Sequence, residues 1–302
     1  NFFVCCGLNS IGIGSGGGVG KITAEWLMTG HINEDIFSYD IKRFQKFHSE
    51  LGFIKKRITE TLGDLYGMHW PFKQHKTSRN VKTLPYHNDL KSFGACFGVS
   101  GGYERPMWFA LDGEVANYEY SYNYQNWYPS AEYETNNTIK NVGLFDLTPF
   151  SKFEIKSEKA HQELQKICTA NIKEDIGKCT YTHMLNTDGG IETDLTVVCV
   201  DENHYRIISS AATRERDKFH IKKHLSENIE LIDVTDNYCV FGLFGPKSRE
   251  LLKTLSNDDF DNENFKFGTA KNITIDGKNI WAQRLSYVGE LGYELYVKFE
   301  ES

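Results

Sequence analysis

From Val81 onward the chain is written in short apolar runs of strand length, set apart by stretches with helical spacing. This confines it to an α+β fold, because each strand or helix with one apolar face needs a partner layer to bury it. The strand-like runs are residues 145–155, 193–200, 205–209, 240–243, 273–275, 280–285 and 293–297. Helical spacing occupies 157–169, 213–225 and 246–255, the last opening on Gly245-Pro246. Proline is at home in a first helical turn, where its missing N–H leaves no bond unmade.

The upstream part reads differently. Residues 2–8 read as the end of a strand, residues 7–20 as a glycine loop, and residues 21–28 as a helix closed by Gly30. Residues 34–66 carry apolar side chains mostly three or four apart and read as a long helix. Residues 67–92 are mixed, with Pro71, Pro85 and a basic stretch over 73–82, and a domain boundary falls there.

Charge and cysteine usage narrow the class. The net charge is −7, from 34 basic and 41 acidic residues, and a general nucleic-acid binder would carry a basic excess. No apolar run reaches the ~18 residues of a membrane span. The 7 cysteines include no C-x-x-C pair and most sit in apolar runs, which points to buried free thiols in a reducing compartment. Cytoplasm is the expectation, or the mitochondrial matrix in a eukaryote. The 14% aromatic share suits both a large core and a pocket that stacks flat ligands. The chain opens on Asn1 inside an apolar run and closes on a charged stretch, and it reads as a piece of a longer protein.

Three segments carry candidate chemistry. Gly12-x-Gly14-x-x-Gly17 formally satisfies the dinucleotide fingerprint, although a run so rich in glycine matches many patterns. It reads either as a tight turn with close helix packing or as bare backbone offered to an anionic cofactor at a helix start. Asp194 follows Gly189-Gly190 and begins an apolar strand, where a carboxylate needs a partner or a function to offset its desolvation; a turn-capping role stands beside the functional one. Glu294 lies inside the run 293–297. Alternation aims it and Tyr296 to one face, with Tyr293 and Leu295 on the other. A strand carboxylate beside aromatics can take paired hydrogen bonds from a flat amidine-like heterocycle, and an exposed strand Glu is the plain alternative. The basic residues Arg214, Arg216, Lys218, Lys222 and Lys223 read as a solvated helix face. The 10 histidines show neither an H-x-x-x-H pair nor H-E-x-x-H, so no metal site is expected.

Taken in order, these segments resemble a family. Residues 9–13 through Gly20-Lys21, with Ala24-Glu25-Trp26, resemble the C-terminal end of the flavin domain of dimethylglycine and sarcosine dehydrogenases. Asp40-Ile41-Lys42-Arg43-Phe44 and the helical spacing after them resemble the connector next to that domain. Leu84-Pro85-Tyr86, Glu104-Arg105-Pro106-Met107-Trp108-Phe109, Val142-Gly143-Leu144-Phe145-Asp146, Gly189-Gly190 through Asp194-Leu195, Gly245-Pro246 and Tyr287-Val288-Gly289-Glu290-Leu291-Gly292 resemble the folate-binding module shared with the glycine-cleavage aminomethyltransferase. The resemblance implies residues 1–38 as the end of an FAD-dependent oxidoreductase domain, 39–80 as its connector, and 81–302 as the folate module, cut before its C-terminal part.

The same resemblance implies roles. Asp194 is matched to the catalytic carboxylate at the reacting folate nitrogens. Tyr287 and Glu294 are matched to folate contacts, and Gly12, Ile13, Gly16 and Gly17 to flavin contacts. The implied cofactors are FAD, held mainly by residues outside this sequence, and tetrahydrofolate. The implied reaction is oxidation of a small N-methyl amine such as dimethylglycine or sarcosine, with oxygen or an electron-transfer protein as acceptor. The one-carbon unit passes to tetrahydrofolate, giving 5,10-methylenetetrahydrofolate. A stand-alone folate aminomethyl- or methyltransferase and a non-catalytic folate-family scaffold are the other readings. Residues 1–66 speak against the first, and the presence of Asp194, Tyr287 and Glu294 against the second.

Overall fold

The computed structural model describes residues 3–32 and 34–302, and it divides into two compact units, Asn1–Arg43 and Phe44–Ser302. The first unit holds one long helix, α1 (Gly12–Thr29), closed by Gly30 in the left-handed conformation at φ 77°. This corrects two expectations. Most of the glycine run is helix rather than loop, so the helix begins at Gly12 and not at Lys21. Residues 3–8 form no strand, and Phe2 lies outside the described residues. A turn closed by Ile11 N–H donating to Leu8 O starts the helix ahead of the glycines, and glycine tolerates helical dihedrals at a cost in entropy.

The expected long helix over 34–66 is broken. Three short 3-10 turns, Phe37–Tyr39, Ile41–Arg43 and Lys46–Ser49, precede α2 (Leu51–Asp64). Local caps compete with helical hydrogen bonds at each break. Asp35 Oδ1 accepts from Phe37 N–H, Asp40 Oδ1 from Lys42 N–H, and His48 Nδ1 from Gln45 N–H.

Beyond α3 (His87–Ser92), a hairpin pairs β1 (Ala95–Ser100) with β2 (Tyr103–Phe109), and α4 (Tyr128–Lys140) follows with a proline in its first turn. The rest of the unit is built from β3 (Gly143–Asp146), β4 (Ser151–Lys156), α5 (Ala160–Ile167), β5 (Cys179–Leu185), β6 (Ile191–Asp201), β7 (His204–Ser209), α6 (Arg214–His224), β8 (Ile232–Asp233), β9 (Tyr238–Phe244), α7 (Ser248–Leu255), β10 (Thr269–Ile275), β11 (Lys278–Arg284) and β12 (Gly292–Lys298). The strands form two five-stranded antiparallel sheets, ordered β10-β11-β12-β9-β3 and β5-β6-β7-β4-β8. The fold is therefore α+β, as the alternation of runs implies.

Strand parity sorts the side chains. Leu195, Val197 and Cys199 of β6 join Phe153, Ile155 and Ile207 in a core that also takes in Leu164 of α5 and Ile221 of α6. Tyr293, Leu295 and Val297 of β12 pack with Leu252 of α7, Phe260 and Phe265. The other face of each strand contributes to a third cluster, with Val198 and Ile208 from one sheet and Val240, Ala270 and Tyr296 from the other. The sheets thus meet face to face with helices outside. At one edge Cys179 N–H donates to Gly268 O and Ala270 N–H to Gly177 O, at 3.0 and 2.6 Å. Gly177 sits at φ 82°, and a Cβ there would stand 2.2 Å from Ala270 O, so this close approach requires glycine.

All 7 cysteines are free. Cys96, Cys168, Cys199 and Cys239 are buried as expected, whereas Cys5 and Cys6 are exposed. Among the described residues no helix is long and apolar enough to cross a membrane.

Candidate functional site

Between the inner faces of the two sheets lies a cavity of about 250 Å³. Its walls are mostly apolar and aromatic: Leu147 and Phe150 from the turn between β3 and β4, Ile208 of β7, Val240 of β9 and Tyr296 of β12. Asp194, Tyr287 and Glu294, which the sequence places in separate segments, all line this one space. Parity explains the convergence. Asp194 and Thr196 alternate with the core residues of β6, and Glu294 and Tyr296 with those of β12.

Asp194 stands at the exposed end of the space, where the Tyr181 hydroxyl donates to its Oδ2 at 3.0 Å. Tyr181 faces Thr196 in the β5–β6 ladder and reaches Asp194 diagonally, from a strand that the apolar pattern does not reveal because Thr180, Thr182 and His183 interrupt it. Tyr287 lies just before β12, with much of its ring exposed and its hydroxyl 2.9 Å from Thr196 Oγ1.

Glu294 is the buried acid of the site, only 4% exposed. Tyr296 O–H donates to its Oε2 at 3.0 Å, and burial pushes its carboxyl up to about 7. Tyr296 is also fixed from behind: the Arg206 guanidinium lies 5.6 Å from its ring centroid and 4.6 Å from that of Tyr238, and donates to Glu154 Oε1 at 2.7 Å.

Lys152 is the residue sequence reasoning missed. It lines the cavity from β4 with no exposed surface, its Nζ donating to Thr148 O at 2.8 Å and Phe150 O at 2.7 Å. Burial brings its ammonium down to about 7. The signal was available: a lysine between Ser151 and Phe153, in a run whose other face is apolar, has to point to the opposite side of the sheet.

The expected flavin contacts lie on α1, in the first unit. Gly12, Ile13, Gly16 and Gly17 occupy its first two turns, with Ile13 fully exposed. A Cβ at Gly14, Gly16 or Gly17 would meet nothing within 4 Å, so the first turns of this helix offer bare backbone that a flat ligand could approach. The basic helix face needs correcting. Arg214 of α6 is largely buried, paired with Asp233 at 2.8 Å, and Arg216 donates to Glu192 O at 2.6 Å, so two of the five residues are structural rather than solvated.

One carboxylate–imidazole group, Glu60, Asp64 and His75, has ligand atoms within 4.8 Å of one another. Its acids are already engaged, Glu60 by the Lys76 and Thr77 main-chain N–H groups and Asp64 by Lys73 Nζ at 2.6 Å, so it reads as an ion-pair cluster that ties α2 to the following loop.

Residues 86–302 match the GCVT N-terminal domain. The chain belongs to that family. Residues 29–83 match the central domain of FAD-dependent oxidoreductases. Among known proteins it is similar to 4-methylaminobutanoate oxidase (formaldehyde-forming) of Paenarthrobacter nicotinovorans, 36% identical over 297 residues, with 98% of this chain and 36% of that protein covered. It is also similar to mitochondrial sarcosine dehydrogenase of Homo sapiens, 30% identical over 339 residues, covering 98% and 37%. The chain thus spans little more than a third of the length of these relatives. The fold is that of glycine cleavage system aminomethyltransferase T from Bartonella henselae, at TM-score 0.59 and 21% identity, covering 73% of this chain and 55% of that one. The two matched segments, in that order, together with the similarity to these relatives, bear out the resemblance read from the motifs.

Proposed function

We propose that this chain is the one-carbon transfer part of an FAD-dependent enzyme that demethylates a small N-methyl amine, dimethylglycine or sarcosine in chemistry, and delivers the carbon to tetrahydrofolate as 5,10-methylenetetrahydrofolate. The observation that carries the reading is the convergence of Asp194, Tyr287 and Glu294 on one inter-sheet cavity. In this reading residues 1–38 end the flavin domain, 39–80 connect it, and 81–302 form the folate module. Oxygen or an electron-transfer protein re-oxidises the flavin. The compartment is the cytoplasm, or the mitochondrial matrix, which fits a relative that bears the mitochondrial name.

The residues fit a reduced pterin. The apolar and aromatic walls accept a flat ring, and Glu294 supplies the buried acceptor for its paired N–H donors. Tyr296 and, behind it, Arg206 hold that carboxyl in place. Bound tetrahydrofolate supplies the nucleophilic nitrogen that takes up the one-carbon unit. Asp194, at the open end and steadied by Tyr181, lies where it can receive or stabilise the proton that nitrogen gives up. Tyr287, its hydroxyl braced on Thr196, covers the ring edge. For FAD, the bare first turns of α1 fit close approach by a flat ring system, with the positive end of the helix favouring the reduced, anionic flavin.

The test is tetrahydrofolate binding by calorimetry on the full-length protein, with Asp194→Asn and Glu294→Ala alongside wild type. Clear weakening in Glu294→Ala supports this pocket. Absence of binding by well-folded wild type removes the folate reading and leaves the scaffold role.

A further inference from the structure

Two ionisable side chains inside one small cavity, one acidic and one basic, set a stricter requirement on its occupant than the acid alone. Glu294 belongs to β12 of one sheet and Lys152 to β4 of the other, and both are essentially without exposed surface. The Lys152 ammonium has three N–H donors, and two are spent on the main-chain carbonyls of Thr148 and Phe150. These two bonds hold the nitrogen in place and leave one donor for whatever fills the cavity. Among the described residues no carboxylate closes on Lys152 directly; the charged groups around it are Asp236 and Asp146 on one side of the balance and Arg214 and Arg206 on the other.

We infer that Lys152 is the specificity-determining residue of this cavity, its third N–H donating to the ring carbonyl oxygen of a 4-oxopteridine whose N–H edge is held by Glu294. This rests on the folate reading given above and adds to it which heterocycle the site accepts. A 4-oxopteridine carries two adjacent N–H donors beside a carbonyl acceptor, and the pair of side chains is the complement of that array. A 2,4-diaminopteridine puts an amino donor where the carbonyl stood and turns the adjoining ring N–H into an acceptor, so a donor faces Lys152 and Glu294 loses one of its two donors; each buried group left unpaired costs about 1–3 kcal/mol.

The charge state supports the same arrangement. Burial brings both groups to about 7, the acid from below and the amine from above. The neutral pair and the ion pair carry the same net charge, so a proton moves between them without changing the charge of the cavity. An occupant that donates to Glu294 and accepts from Lys152 selects the ion pair.

The experiment is calorimetric binding of 5-formyltetrahydrofolate and of methotrexate, a 2,4-diaminopteridine, to the full-length protein, for wild type, Lys152→Met, Lys152→Gln and Glu294→Ala. Wild type is expected to prefer the 4-oxo ligand about tenfold or more. Either lysine substitution should reduce that preference about fivefold or more, mainly by weakening the 4-oxo ligand, while Glu294→Ala weakens both. The glutamine variant keeps donors for the two carbonyls if the methionine variant does not fold. Equal affinity of wild type for the two ligands overturns the inference without any variant. Discrimination unchanged in folded Lys152→Gln overturns it while the folate reading stands. Absence of binding by both ligands removes the folate reading and this inference with it.

Discussion

Tyr296 donates a 3.0 Å hydrogen bond to the carboxylate of Glu294, two residues earlier on the same strand and the same face. The acid is therefore steadied by its own strand, and its protonation is set by burial.

This fixes a pH dependence. The folded value of about 7 lies above the ordinary 4.5, so folding favours the protonated acid. That contribution is complete below about pH 4.5 and is lost as pH rises through 7. Glu294→Gln keeps the uncharged shape, and its stability relative to wild type should rise by on the order of 3 kcal/mol between pH 4.5 and 7.5, then level off. Urea unfolding midpoints at several pH values measure this; a flat difference would mean that burial does not govern the acid.

On the proposed function, Asp194→Asn should separate the two half-reactions. In the full-length enzyme, methylene transfer to tetrahydrofolate should drop by about 10²–10⁴-fold, the usual share of a positioned acid or base, while amine oxidation stays near wild type. An equal fall in both rates would remove Asp194 from the transfer step.

Gln283 stands opposite Glu294 in the β11–β12 ladder, with no exposed surface and with neither its amide oxygen nor its nitrogen hydrogen-bonded among the described residues. A buried amide without partners is costlier than an apolar side chain of similar size. Gln283→Leu should raise stability by about 1–2 kcal/mol. A lowered melting temperature would show that the amide has an ordered partner in solution.

The six glycines within α1 each weaken it by up to about 1 kcal/mol relative to alanine, and a Cβ at Gly17 meets no neighbour. If these bare turns exist to meet the flavin, Gly17→Ala should lower flavin retention in the full-length protein, read by absorbance, although it improves helix propensity. Full retention with higher stability would make the glycines incidental.

The sequence pattern reported strand existence and parity well where one face is buried under a helix. Glu294 and Tyr296 take one side of β12, and Tyr293 and Leu295 the other, because period-2 alternation survives intact there. The pattern failed where local polar groups decided the backbone. Asp40 and His48 broke a helix that apolar spacing favoured, and a turn at Leu8–Ile11 drew the glycines into one. It also failed where a charged side chain had a partner far along the chain. Arg214 looked solvated until Asp233 stood beside it, and Lys152 was hidden inside an apolar run although its carbonyl partners are only two and four residues away.

Gly177, pressed against Ala270, joins the two sheets through main-chain bonds at one edge, and the strands then give alternate residues to the cavity and to the helix-covered cores. Core and cavity are therefore interleaved along the same strands, and among the described residues of the two helix-covered cores Leu195 alone also lines the cavity. Substitutions on one side should leave the other nearly unchanged, so a change of ligand preference can be acquired residue by residue without first re-solving the fold.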